Sequence, residues 1–186
     1  MSVQGKRGDV APAAAPQHQC PKAYTVPKQR PERPPWATIH SMLIQPSQAD
    51  VRRFFCSVYA KACAGERLEA LETLASLWIA EHPEYHAALS DVDAALKTMA
   101  VPDETNANPF LHLSMHLSIS EQCSIDQPRG IRQAVELLTH RRDSLHDAHH
   151  ETMECLGRMV WESQRAGRPP DGAAYIDCVQ RHATRD

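Results

Sequence analysis

The stretch NPFLHLSMHLSISEQCSI, Asn108 to Ile125, decides the fold. Asn108 followed by Pro109 signals a helix start, with Asn as the cap and proline at the first helical position, where its missing N–H has no partner to lose. Phe110, Leu111, Leu113, Met115, Leu117 and Ile119 then place apolar side chains almost all round that helix. A helix apolar on every side belongs in the middle of a bundle, so its polar exceptions are informative. At 100° per residue, His112 and His116 share one stripe with Ile119 and Cys123, and Glu121 falls on the opposite side.

The helical period continues in both directions from this centre. Upstream, Val51, Phe54, Phe55, Val58 and Tyr59 predict a helix over 48–64 that Gly65 ends. Leu68, Leu71, Leu74, Ala75, Trp78 and Ile79 predict a second over 66–81. His82 then caps a third, with Pro83 in its first turn, running through Leu89, Val92 and Leu96 to Met99. Residues 100–107 read as a loop. Downstream, Gln127-Pro128 opens a helix carrying Ile131, Val135, Leu137 and Leu138 that ends near Arg142. Asp143 caps the next, whose apolar stripe is Leu145, Leu156, Met159 and Val160, and Gly167 and Pro169 close it after Ala166. A last short helix surrounds Tyr175, Ile176 and Val179. Nothing alternates convincingly with period two. The predicted class is all-α: a compact bundle of about six to seven helices forming a single domain over 47–186.

The first 46 residues are a different kind of chain. Eight of the 14 prolines (Pro12, Pro16, Pro21, Pro27, Pro31, Pro34, Pro35 and Pro46) lie there. With six Lys/Arg against two Asp/Glu the segment carries +4, which leaves −7 for the remainder of a chain whose formal charge is −3. Such a segment has too little apolar surface to offset its ordering entropy, so 1–46 is expected to be a disordered, basic, Pro-rich tail. Met42 precedes the first helical pattern and is a candidate translation start.

Several function classes are excluded or disfavoured. The acidic body lacks the clustered Lys/Arg that neutralise phosphates, which argues against nucleic-acid binding by the folded part. No apolar run reaches the ~20 residues that span a bilayer, and no secretory h-region precedes the domain. Cys20, Cys56, Cys63, Cys123, Cys155 and Cys178 form no CxxC pair, so reduced thiols packed as small hydrophobes in a cytoplasm are expected. A homo-oligomer stays open. The seven glycines form no phosphate-binding loop.

The chemistry-bearing pattern is histidine. His112 and His116 are one turn apart, as are His146 and His150 in DSLHDAHHETMECLG, so each pair lies on one helix face. Two such faces turned together supply four nitrogens for a transition metal, with zinc, nickel, copper and iron fitting a nitrogen-rich set far better than magnesium or calcium. Gly157, on the His146 face, would let a neighbouring helix approach. His82, Glu84 and His86 in HPEYH are additional candidates, as is Glu154 beside the His150 face; His149 leans toward the core. Leu113 after His112 and Asp147 after His146 break the zincin HExxH pattern, and no Glu-x-x-His of the di-metal carboxylate bundles occurs. Two readings remain. One is a buried His-rich site holding a single transition-metal ion, zinc first. The other is a non-enzymatic structural or interaction bundle whose histidines hydrogen-bond inside the core.

Together HPEYH, NPFLHLSMHLSISEQ, DQPRGIR and HHETMECLG with its following Trp161, Gln164 and Arg165 resemble the uncharacterised bacterial family called domain of unknown function 1841, over roughly residues 42–182. The resemblance implies a compact, mostly helical, cytoplasmic bacterial domain starting near Met42. It covers His82, Glu84, His86, His112, His116, His146, His150 and Glu154, whereas His149 stands where relatives more often carry an acidic residue. The family supplies no established activity.

Overall fold

The computed structural model describes residues 47–98 and 108–184, and among these every regular element is helical. The elements are α1 (Gln48–Ala64), α2 (Ala70–Glu81), a 3-10 turn (Pro83–Tyr85), α3 (His86–Leu89), α4 (Val92–Lys97), α5 (Pro109–Ile125), α6 (Ile131–Arg142), α7 (Leu145–Ala166) and α8 (Gly172–Thr184). The all-α expectation holds. The expected tail over 1–46 and the loop over 100–107 lie outside the described residues.

Capping chemistry places most boundaries. Ser47 and Asp50 form a reciprocal capping box at the start of α1, and Gly65 ends that helix at φ 65°. Asn108 accepts from the amides of Phe110 and Leu111 ahead of Pro109, as expected for α5. Four boundaries differ from the sequence reading. Residues 66–69 are not helical, because Glu69 and Glu72 cap α2 at Ala70. The expected third helix is broken at Ser90–Asp91, where the Asp91 carboxylate accepts from the amides of Asp93 and Ala94 and restarts the chain as α4. Asp143 is not the cap of α7: it adopts a left-handed conformation at the end of α6, and Ser144 caps α7 by accepting from the Asp147 amide. Similarly, α6 begins at Ile131, after Gly130 at φ 101°, rather than at Pro128.

The core has two halves. Phe55, Val58, Ala75, Trp78, Ile79, Leu89, Phe110 and Leu113 fill one, between α1, α2, α3 and the first turns of α5. Ile119, Ile131, Ala134, Leu138, Ala148, Leu156, Tyr175 and Val179 fill the other, between the end of α5 and α6, α7 and α8. The centre of α5 belongs to both, since it packs on α1 and α2 on one side and on α6 and α7 on the other. Each fully enclosed Leu or Ile contributes about 1.5–3 kcal/mol of apolar burial. The stripe expected on α7 is displaced: Leu145 and Val160 are exposed, and the buried side runs through Ala148, His149, Thr152, Met153, Cys155 and Leu156.

Cysteine placement corrects a further expectation. Cys155 on α7 and Cys178 on α8 form a disulfide, with Cα atoms 5.8 Å apart. The sequence could not reveal it, because 23 residues separate the partners and only the packing of α7 on α8 brings them together. Cys56 and Cys123 are free thiols, and burial pushes both up to about 11. No helix among the described residues is long and apolar enough to cross a membrane.

Candidate metal centre

The seam between the two half-cores is where the histidines meet. His116 sits between Leu113 and Leu117 of one half and Ile119 of the other, wholly buried. His112 lies one turn earlier on the same face of α5. His146 and His150 come from the first turns of α7, and these three are half-buried. The fifth member, His82, follows α2 directly. Pro83 disfavours helical backbone at the residue before it, so α2 stops and His82 turns to φ −123° with its ring buried.

The five rings meet through their Nε2 atoms. His82 Nε2 lies 2.8 Å from His116 Nε2 and 3.3 Å from His146 Nε2. His112 Nε2 lies 3.2 Å from both His116 Nε2 and His150 Nε2. The ligand atoms of His82, His116, His146 and His150 are all within 4.8 Å of one another. Tetrahedral ligation at a zinc–nitrogen distance of ~2.0–2.1 Å sets neighbouring nitrogens about 3.3–3.4 Å apart, close to the separations in this cluster.

The surroundings prepare these nitrogens as electron-pair donors. The Glu84 carboxylate accepts from His82 Nδ1 at 2.9 Å, which places the ring proton on Nδ1 and leaves the Nε2 lone pair facing the cluster. The second ring nitrogen of His116, Nδ1, faces His149 Nδ1 at 3.4 Å. Trp78 stacks flat on His116 at 4.1 Å between centroids and against His149 at 4.3 Å, closing the inner wall. Its indole N–H donates to Ser120 Oγ, whose hydroxyl donates to the His116 carbonyl, so the wall and the His116 backbone are tied together. Tyr85 stacks on His82 and meets His112 edge-on at the outer side.

Charge on the rings is suppressed. Burial, with the neighbouring imidazoles His82, His150 and His146, lowers His112 to about 4. Burial and the neighbouring His149, His112, His82 and His150 hold His116 far below the ordinary imidazole range, and burial with His150 and His146 brings His149 to about 4. His150 is lowered in the same way. Near neutrality these rings are therefore uncharged, the form in which imidazole ligates a metal.

The four histidines singled out first from the sequence, His112, His116, His146 and His150, do come together. His82, only an additional candidate there, joins them, and Glu84 orients it from behind. His86 does not: its Nε2 contacts the Ile79 carbonyl at 2.9 Å and its ring lies against Tyr59. Glu154 remains exposed on α7, because the histidine face and its own direction diverge along the helix. His149 and Trp78 are the residues the sequence reading underrated. Their signal was present, since both fall on buried stripes of their helices, but a core position and a position beside an imidazole cluster look alike in sequence.

The family model "Domain of unknown function (DUF1841)" matches residues 47–181 of this chain. No curated protein and no solved structure matches it.

Proposed function

The chain belongs to the DUF1841 family, and for this member we propose a metal-binding role: one transition-metal ion, zinc first, held among His82, His116, His146 and His150, with His112 as the adjoining fifth nitrogen. One observation carries the reading. The contacts run as a chain from His146 to His82, His116, His112 and His150, and every one is Nε2 to Nε2. An imidazole nitrogen has a single in-plane direction and either donates one proton or accepts one. Five such atoms in a row can form at most two mutual hydrogen bonds, leaving one Nε2 without a partner. A cation among His82, His116, His146 and His150 would take up four lone pairs at once, with His112 beside them. The all-nitrogen donor set favours zinc, nickel, copper or iron over magnesium or calcium.

Half-burial of His112, His146 and His150 leaves the outer side of the cluster within reach of solvent, so three or four imidazoles and a water can share the ion. His82, His116, His146 and His150 would hold the ion, which would supply Lewis-acid chemistry of the kind used in metal-assisted hydrolysis. The test is elemental analysis of the full-length protein after purification without added chelator. About one transition-metal ion per chain is expected, falling sharply in His116→Ala and in His146→Ala. Retention of stoichiometric metal by both variants would place the ion elsewhere. Absence of metal after zinc reconstitution would leave the cluster as a hydrogen-bonded core.

A further inference from the structure

A second constellation lies away from the histidine seam, at the crossing of α7 and α8. Cys178 and His182 are one turn apart on α8, and Cys155 faces them from α7. One ligand atom from each of the three lies within 4.8 Å of the others, with both cysteines buried and His182 half-buried. Glu151, one turn before Cys155 on α7, accepts from His182 Nδ1 at 3.1 Å, and Arg142 pairs with the same carboxylate. A proton held on Nδ1 leaves Nε2 as the lone-pair nitrogen. The carboxylate-behind-histidine arrangement of Glu84 and His82 is thus repeated here on different helices.

We propose that Cys155, Cys178 and His182 form a second, thiol-dependent zinc site that is closed while the disulfide is in place and opens when it is reduced. Two thiolates and one imidazole are the donor set of open zinc sites, with water as the fourth ligand. The step balances as follows. A dithiol reductant transfers two electrons and two protons to the Cys155–Cys178 bond and closes to its own disulfide. The two new thiols then release their protons to solvent as two zinc–sulfur bonds form. A cavity of about 630 Å³ is lined by Cys155, Met159, Tyr175 and Cys178, with Arg158, Arg168 and Arg181 also on its walls, so both cysteines border open space. Buried thiols elsewhere in this fold stay protonated, as Cys56 does, so a thiolate pair at this depth calls for a cation beside it. The site shares no residue with the histidine cluster and stands or falls separately from it.

Cobalt(II) titration of the full-length protein, oxidised and after reduction by a phosphine, tests the proposal. Only thiolate ligation produces the sulfur-to-cobalt charge-transfer absorption, so nitrogen ligation at the histidine cluster does not interfere. The reduced protein is expected to take up one more equivalent than the oxidised protein and to show that absorption, which Cys155→Ser and Cys178→Ser abolish and His182→Ala weakens. Zinc should also protect Cys155 and Cys178, read by mass spectrometry, from alkylation in the reduced wild-type chain, a readout that does not depend on how the variants fold. Equal alkylation with and without zinc, or a charge-transfer band that survives in Cys178→Ser, would overturn the site and leave the disulfide as a staple between α7 and α8.

Discussion

Acidification of the metal-free protein gives the most direct reading of the histidine seam. In the unfolded chain each imidazole titrates near its ordinary value of 6.5, whereas in the fold His149 is lowered to about 4, His112 to about 4, and His116 further still. Below pH 6.5 the unfolded state therefore binds protons that the folded state refuses. Stability is full above that pH and is lost as pH falls toward 4. Each fully buried group contributes a slope of about 1.4 kcal/mol per pH unit inside the window. His116 and His149 together give about 2.7 kcal/mol, and half-buried His112, discounted for solvent, brings the total to roughly 3 kcal/mol per unit. Against a total of about 5–15 kcal/mol for an ordinary domain, one pH unit is a large loss. The carboxylates held below their ordinary range, Asp50, Glu72, Glu84 and Glu151, act mostly at lower pH and leave the interval from 6 to 5 to the histidines. Urea denaturation of chelator-treated protein at pH 6 and pH 5 measures the effect. With a slope of ~1–3 kcal/mol per molar urea, the midpoint should fall by about 1–3 M. His149→Leu should flatten the dependence by about 1.4 kcal/mol per pH unit. A midpoint that does not move between pH 6 and 5 would mean that these rings are not buried neutral, and the geometry of the seam would be wrong.

Other consequences can be checked independently. Zinc at a hundred times its dissociation constant should stabilise the fold by about 2.7 kcal/mol, seen as a rise in the calorimetric midpoint that His116→Ala removes; the same rise in both proteins would sink the assignment. Glu84→Gln keeps the size of the side chain but weakens its hold on the Nδ1 proton of His82, so metal affinity should drop about 10- to 100-fold in competition with a chromogenic chelator. An unchanged affinity would show that Glu84 does not orient the ligand. Leu113→Ala and Ile131→Ala, one in each half-core and both wholly buried, should each cost about 2–5 kcal/mol in urea unfolding, and a cost below 1 kcal/mol for either would contradict its enclosure. Ser144→Ala removes the oxygen that accepts from the Asp147 amide at the start of α7, at a cost of about 1 kcal/mol; no change would mean water replaces the cap fully.

Sequence legibility was uneven for physical reasons. The helices around Asn108, Gly65 and Gly167 could be read because their caps lie within a few residues of the bonds they make. The break at Asp91 was missed because a continuous apolar period runs across it, and only the Asp91 cap and the packing of α4 on α1 favour a restart. The exposure of Leu145 and Val160 was missed because periodicity gives the width of an apolar face but not how far along the helix its neighbours extend.

By itself, the sequence determined that this protein is helical, that α5 lies at its centre, and that His112 with His116 and His146 with His150 share faces. Those are local facts, set by 3.6 residues per turn. Tertiary structure alone decided that the two faces meet, that His82 enters between them with Glu84 behind it, that His86 and Glu154 stay out, and that Cys155 reaches Cys178. The meeting of the faces, the entry of His82 and the Cys155–Cys178 bond depend on contacts between segments tens of residues apart, whose approach is fixed by how the two half-cores close on α5 and leaves no periodic trace in the chain.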